Sequence, residues 1–389
     1  MKKNYWILAA AAVALAACSN DDTITVNQGI EEANTISFNT IVEGQTRATA
    51  TVLSTIQTNG FYVGAWKNAD HASYFADTKF TKDADATTYH ADGGTKYYWP
   101  STGNLDFVGF YPNVDNTTLT HGAWNTFTFV PADANTSHTD YVIAATVDQA
   151  KAESSTGVPL AFKHLGTWIE LKAYNSKGNA EGNMKTSVQG WKIGYVHKGG
   201  IYTISSSTAN GSALSTTGSW NYDSYPVQAS NVPNEYKETL ASAVTTTTDG
   251  ACDASGEAAV IGNAMIIVPQ ATTKMTGSST YNATGGYLTG AFIAVKLQIT
   301  DGSDHIIADA TGTTTVGETS RDLWAIWPIN NDWADGNKYT YVIDLSQGGY
   351  KEIGTPGEEL EKWLDGAEIF FDNVTVTDWA TGTPEIVEP

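Results

Sequence analysis

The run Thr35-Ile36-Ser37-Phe38-Asn39-Thr40-Ile41-Val42 sets Ile36, Phe38, Thr40 and Val42 on one face at a spacing of two. That spacing reads as a half-buried β-strand. Working outward, the same signal recurs at 60–66, 106–111, 124–130, 141–145, 158–162, 168–173, 191–196, 264–268, 292–299, 324–326, 339–345 and 369–376, with Gly, Asn, Asp and Pro at the breaks. Helical pattern is confined to 52–58 and 360–364, the latter preceded by Glu358 and Glu359, an acidic first turn. Many short strands with turn residues between them fit an all-β protein of sandwich construction, in which two sheets each bury one face.

Upstream of the opening strand the chain begins with Lys2 and Lys3, an apolar run over 5–14, and Leu15-Ala16-Ala17-Cys18. A basic start, a short apolar core and small residues before a cysteine form a lipoprotein signal, so residues 1–17 are expected to be removed and Cys18 to carry lipid. The apolar stretch is shorter than the roughly 20 residues that span a bilayer. Residues 19–33 are polar and acidic and read as a tether. Past the strand, Glu43-Gly44-Gln45-Thr46-Arg47-Ala48 is a polar turn with the only arginine before Arg321. A basic residue so placed is a candidate protease site, with Ala48 as the new first residue.

The 389-residue chain carries 21 basic and 42 acidic residues, a net charge of −21. Loss of Lys2 and Lys3 with the leader leaves 19 basic residues and a net −23. A surface that negative repels a phosphate backbone, which excludes nucleic acid as a partner class. Only 16% of residues are charged while 41% are hydrophobic, so a packed core is expected rather than disorder. The length suits two domains. The linker-like segment 150–157 puts their boundary near 156, giving a lipidated propeptide over 18–47 and domains over 48–155 and 156–389. The Thr-rich segment 242–259 reads as a long loop in the second domain.

Little in the sequence carries reaction chemistry. The histidines at 71, 90, 121, 138, 164, 197 and 305 show no paired spacing for a metal. Acidic turns such as Asp83-Ala84-Asp85 and Asp301-Gly302-Ser303-Asp304 lack the spacing of a calcium loop. Cys18 and Cys252 are the only cysteines, so lipid on Cys18 leaves Cys252 a free thiol without a neighbouring histidine. No catalytic residue, metal or cofactor is expected. The 12 Trp and 19 Tyr read mainly as core and sheet packing. Exposed members stacking on sugar rings would instead make the protein a surface-anchored glycan-binding lipoprotein.

Several motifs occur in the order seen in a known family. They are Cys18-Ser19-Asn20-Asp21-Asp22, Ile36-Ser37-Phe38 followed by Thr46-Arg47-Ala48, and Trp99-Pro100 leading into Leu105-Asp106-Phe107-Val108-Gly109-Phe110-Tyr111-Pro112. Asp140-Tyr141-Val142-Ile143-Ala144-Ala145, Val158-Pro159-Leu160-Ala161-Phe162-Lys163-His164 and the run from Ile369 to Trp379 complete the set. Together they resemble the fimbrillins of Bacteroides- and Porphyromonas-type bacteria. The resemblance implies a type V pilus subunit of two transthyretin-like (Greek-key) β-sandwich domains at the outer membrane and cell surface. It implies cleavage after Arg47 by an arginine-specific protease and loss of the strand bearing Ile36, Phe38, Thr40 and Val42. A strand of another pilin subunit would then fill the groove. A donor strand drawn from Ile369, Phe371, Val374 and Val376 is the expected counterpart, and a host or bacterial surface glycan or protein the expected adhesion partner. After Trp379 only ten residues remain, thin material for a donor. Stalk, tip and anchor positions stay open, with the tail favouring a tip or accessory place and Arg47 opposing an anchor.

Overall fold

The structure, a computed structural model, describes residues 35–42, 53–82, 88–114, 117–135, 138–151, 157–174, 185–207, 216–229, 232–245, 258–273, 290–300, 306–309, 324–345, 350–351, 373–378 and 385–387. The chain is all-β, as its alternating pattern requires, with one short α-helix, α1 (Leu53–Asn59), and a 3-10 turn at Asp92–Gly94 among the described residues.

The first half builds a ring of seven strands. They are β1 (Phe38–Val42), β2 (Phe61–Lys67), β3 (Ser73–Lys82), β4 (Tyr89–Ala91), β5 (Leu105–Tyr111), β8 (Val142–Gln149) and β9 (Val158–His164), hydrogen-bonded in the order β1-β4-β3-β2-β5-β8-β9 and closed on itself. Five of the seven contacts run antiparallel between β4 and β9 by way of β3, β2, β5 and β8. The remaining two belong to β1, which meets β4 antiparallel and β9 parallel. Phe61, Val63 and Ala65 of β2 point inward with Leu105 and Phe107 of β5, Val142 and Ala144 of β8, and Leu160 and Phe162 of β9. Helix α1 adds Ile56 to this core, and Gly60 ends it. Its φ of 75° lies in the left-handed region, and a Cβ there would sit 2.3 Å from the Phe80 carbonyl oxygen.

Strands β5 and β8 are apolar on both faces because both are covered. Their outward Val108, Phe110, Ile143 and Ala145 pack beneath a four-stranded sheet, in the order β13-β12-β7-β6, of β6 (Leu119–His121), β7 (Thr126–Phe129), β12 (Gly200–Ser207) and β13 (Thr216–Asn221). Burial on both faces replaces strict alternation by a near-continuous apolar run, which is how 105–111 reads.

The second half is a sandwich. One sheet centres on β10 (Thr167–Tyr174), which runs parallel to Asn337–Asp344. The other centres on β11 (Lys185–Gly194), antiparallel to Glu235–Thr245 and to Phe292–Thr300. Ile169 and Leu171 of one sheet meet Val188, Trp191 and Ile193 of the other, with Tyr341, Ile343, Val295 and Trp327 completing one buried cluster.

Three expectations need correction. The boundary at 155/156 falls before β9, yet β9 is a ring strand bonded to β1 and β8, and β12 pairs with β7 across the same point. The strands on either side of it, β8 and β9, pair with each other in the ring. Residues 242–245, expected in a loop, are the end of the strand Glu235–Thr245, whose register against β11 shifts at a bulge between Val188 and Gly190. The strand expected at 191–196 begins six residues earlier and ends at Gly194.

Candidate functional site

The functional reading turns on how β1 is held. Its side chains alternate as the sequence requires, Ile36, Phe38 and Thr40 all buried and Ser37 only half so. Phe38 enters the ring core edge-on to three rings, with centroids at 4.7 Å from Phe80, 5.3 Å from Phe107 and 6.1 Å from Phe61, all within 8° of perpendicular. Such T-shaped pairs add to the burial of a Phe side chain, worth about 1.5–3 kcal/mol by itself.

Main-chain bonding to the two neighbours is unequal. Along β9 the register runs unbroken from Phe38 opposite Val158 to Val42 opposite Phe162, and Val158 N–H donates to Ser37 O at 2.7 Å. Along β4 there is one paired position, Phe38 opposite Tyr89. A side-chain bond supplements that short ladder: Thr40 Oγ1 donates to Tyr89 Oη at 3.2 Å, both residues buried. Burial raises the Tyr89 phenol above its ordinary pKa, the Thr40 bond opposing the shift, so the ring stays neutral. At the other end Ile36 N–H donates to Tyr97 O at 2.8 Å and Thr35 bridges Tyr98. Tyr74 supports this rim by donating its hydroxyl to Tyr98 O, and Tyr98 is 49% exposed.

Of the residues singled out in the sequence, Ile36, Phe38 and Thr40 therefore lie together in one groove and Val42 pairs with Phe162 at its end. Cys18, Arg47, Ala48, Ile369 and Phe371 lie outside the described residues. Val374 and Val376 stand opposite Tyr341 and Tyr339 in the strand Asn373–Asp378, and opposite Val387 and Glu385 on its other edge. His164 ends β9 as a buried residue whose Nδ1 is 3.0 Å from both carboxylate oxygens of Asp140, a local packing arrangement. Among the described residues, Trp191, Trp327, Trp333, Tyr202, Tyr236 and Tyr341 are buried in the cores. No group of three His, Cys, Asp or Glu among the described residues is placed to hold a metal. No helix there is long and apolar enough to cross a membrane.

Tyr89 and Phe80, which line the groove with Tyr97, were not singled out. β4 is only three residues long, and β3 keeps Phe75 and Phe80 on one side although they are five apart. One register shift against β2, between Thr78 opposite Val63 and Phe75 opposite Ala65, makes that possible.

The sequence model of the fimbrillin-like family matches residues 46–379. The chain belongs to the fimbrillin-like family. The matched span starts after β1, so the ring-closing strand of this fimbrillin-like chain lies outside it. No curated protein matches the chain. Among solved structures, a fimbrial protein from Bacteroides vulgatus is similar at 15% identity, covering 89% of this chain and 100% of its own, with a TM-score of 0.49. A protein from Parabacteroides distasonis assigned to cell adhesion covers 90% of this chain and 99% of its own at 10% identity and a TM-score of 0.45. One from Bacteroides ovatus with the same assignment covers 86% and 99% at 13% identity and a TM-score of 0.41. Family membership makes the fimbrillin-like chain a structural subunit of a cell-surface fimbrium, in a family of structural and adhesion proteins rather than enzymes, and implies assembly with other pilin subunits.

Proposed function

We propose that this chain is the precursor of a fimbrial subunit whose β1 is a removable plug. The precursor is exported as a lipoprotein through Cys18 and reaches the outer membrane. An arginine-specific protease cuts between Arg47 and Ala48, and β1 leaves with the propeptide. The open groove between β4 and β9 then receives a strand of another pilin subunit by main-chain pairing, with alternate side chains filling the pockets. The observation that carries this reading is that β1 alone closes the ring and alone supplies Phe38 to its core. A strand withdrawn from that place leaves two unpaired edges and an apolar slot, a ready template for strand addition.

As a donor, the segment with Ile369, Phe371, Val374 and Val376 has to give up the pairing of Asn373–Asp378 with strands on both edges. That double pairing favours an accepting, tip or accessory place over the stalk, with adhesion as the role. The test is a time course of the purified precursor with an arginine-specific protease, followed by mass spectrometry and electron microscopy. Cutting after Arg47, release of the upstream segment and new polymers support the proposal. Equal assembly of the Arg47→Ala protein, or cutting elsewhere with Arg47 intact, overturns it. Fatty-acid labelling of the precursor, abolished in Cys18→Ala, tests the lipid step separately, and an unlabelled wild type overturns it.

A further inference from the structure

We propose that the β1 groove selects its replacement by sequence, with Tyr89 as the selecting residue. The occupant is an extended segment of another fimbrial subunit that runs parallel to β9. It carries an aromatic side chain where Phe38 sits and a hydroxyl two residues later where Thr40 sits. This inference rests on strand exchange at the groove and names what strand exchange alone leaves open.

Direction and register follow from β9. Its ladder with β1 runs over five residues, against one paired position on β4, so β9 is the main template for an incoming backbone. A slip by one residue turns every side chain to the other face and brings the equivalents of Ser37 and Asn39 into the core. The aromatic requirement follows from the three rings set perpendicular to Phe38. A shorter side chain loses all three edge contacts and leaves a void among Phe61, Phe80 and Phe107.

The hydroxyl requirement is the discriminating one. Tyr89 is fully buried, and among the described residues Thr40 is the one hydrogen-bond partner of its phenol. A valine at the Thr40 position has the right shape and leaves that phenol buried without a partner. A site built around a polar group rejects the ligand that lacks its complement far more strongly than an apolar pocket rejects a change of one methylene. Many alternating apolar strands fit the slot by shape, and Tyr89 separates those with the hydroxyl from those without.

The test uses the full precursor cut after Arg47 and a fluorescent peptide of residues 35–42. The peptide is compared with versions carrying Thr40→Val or Phe38→Leu, on the wild type and on the Tyr89→Phe protein. On the wild type, Thr40→Val is expected to weaken binding about ten- to a hundredfold. On Tyr89→Phe that difference is expected to vanish, while Phe38→Leu weakens binding to both proteins alike. Equal affinity of the Thr40→Val and unchanged peptides for the wild type overturns selection by Tyr89 and leaves strand exchange standing. A cut chain that takes up no peptide at all overturns both. Should Tyr89→Phe fail to fold, the peptide pair on the wild type still decides.

Discussion

Among the described residues the ring and the sandwich each contain one parallel strand pair, and they hold it in opposite ways. In the sandwich, β10 runs parallel to Asn337–Asp344, and each of these strands has further antiparallel neighbours in the same sheet. A hydrogen-bonded group fixes that region: Trp333 Nε1 donates to Tyr341 Oη at 2.9 Å, which donates to Asn331 Oδ1 at 2.8 Å, while Tyr339 Oη donates to Asp332 O. In the ring, the parallel strand is β1, joined to β4 at one position and to the core by Phe38, Ile36 and one hydroxyl pair. In the sandwich this pairing geometry is embedded in a polar network. In the ring, the cleavage proposed after Arg47 would make the strand detachable.

The largest effect that would break this contrast is at Phe38. Phe38→Ala in the uncut protein is expected to cost about 3–5 kcal/mol through lost burial and the cavity it leaves, read as a lower urea midpoint and as strand release without proteolysis. An unchanged midpoint would mean that the ring does not depend on β1.

Tyr341→Phe sharpens the other side. It strips the Trp333 indole N–H and the Asn331 carbonyl of their shared hydroxyl in a buried setting and is expected to destabilise by about 1–3 kcal/mol. Assembly after cleavage should be unaffected, and a loss of peptide uptake at the β1 groove would show that the two regions are coupled.

A smaller effect tests the join between them. His138 Nε2 donates to Ala132 O at 2.8 Å and its Nδ1 accepts from Ile266 N–H at 2.9 Å, an arrangement that needs the neutral ring. Burial holds its pKa below the ordinary value of 6.5, with the Ala132 bond opposing. The unfolded chain therefore takes up this proton first as pH falls. The contribution is fully present above about pH 6.5 and is lost as pH falls through the lower folded value. Urea midpoints measured from pH 7.5 to 5 are expected to fall more steeply in the wild type than in His138→Gln, and parallel curves would count against the join.

The smallest effect on stability is at Arg47. Arg47→Ala is expected to change the unfolding free energy by no more than about 0.5 kcal/mol while abolishing maturation. A large destabilisation would mean that the turn is structural.

How much of this was legible depends on how regularly each strand alternates. β1 was readable because Ile36, Phe38 and Thr40 repeat at two without interruption, and the helix near 52–58 because nothing there alternates. β3 was not, because a bulge places Phe75 and Phe80 on one side at an odd separation. Glu235–Thr245 carries Tyr236 and a buried Glu238 on charged-looking sequence, and composition gave no sign of a strand. The groove was half visible: its plug could be read, while its lining came from β3, which is bulged against β2, and from β4, which is three residues long. The pairing of β12 with β7 was invisible because the two strands lie far apart in sequence, on either side of the linker-like 150–157.

Closure of the ring also sets an order of events in folding. Phe38 pairs with Val158, and the whole of α1 and the other ring strands lies between them. The first strand of the chain to emerge is therefore the last that can be used, because the edge it joins is made only when β9 arrives. Such a distant contact is slow to form and weakly favoured by chain entropy until the rest is in place. Until β9 arrives, the apolar face of Ile36 and Phe38 has no finished core to enter.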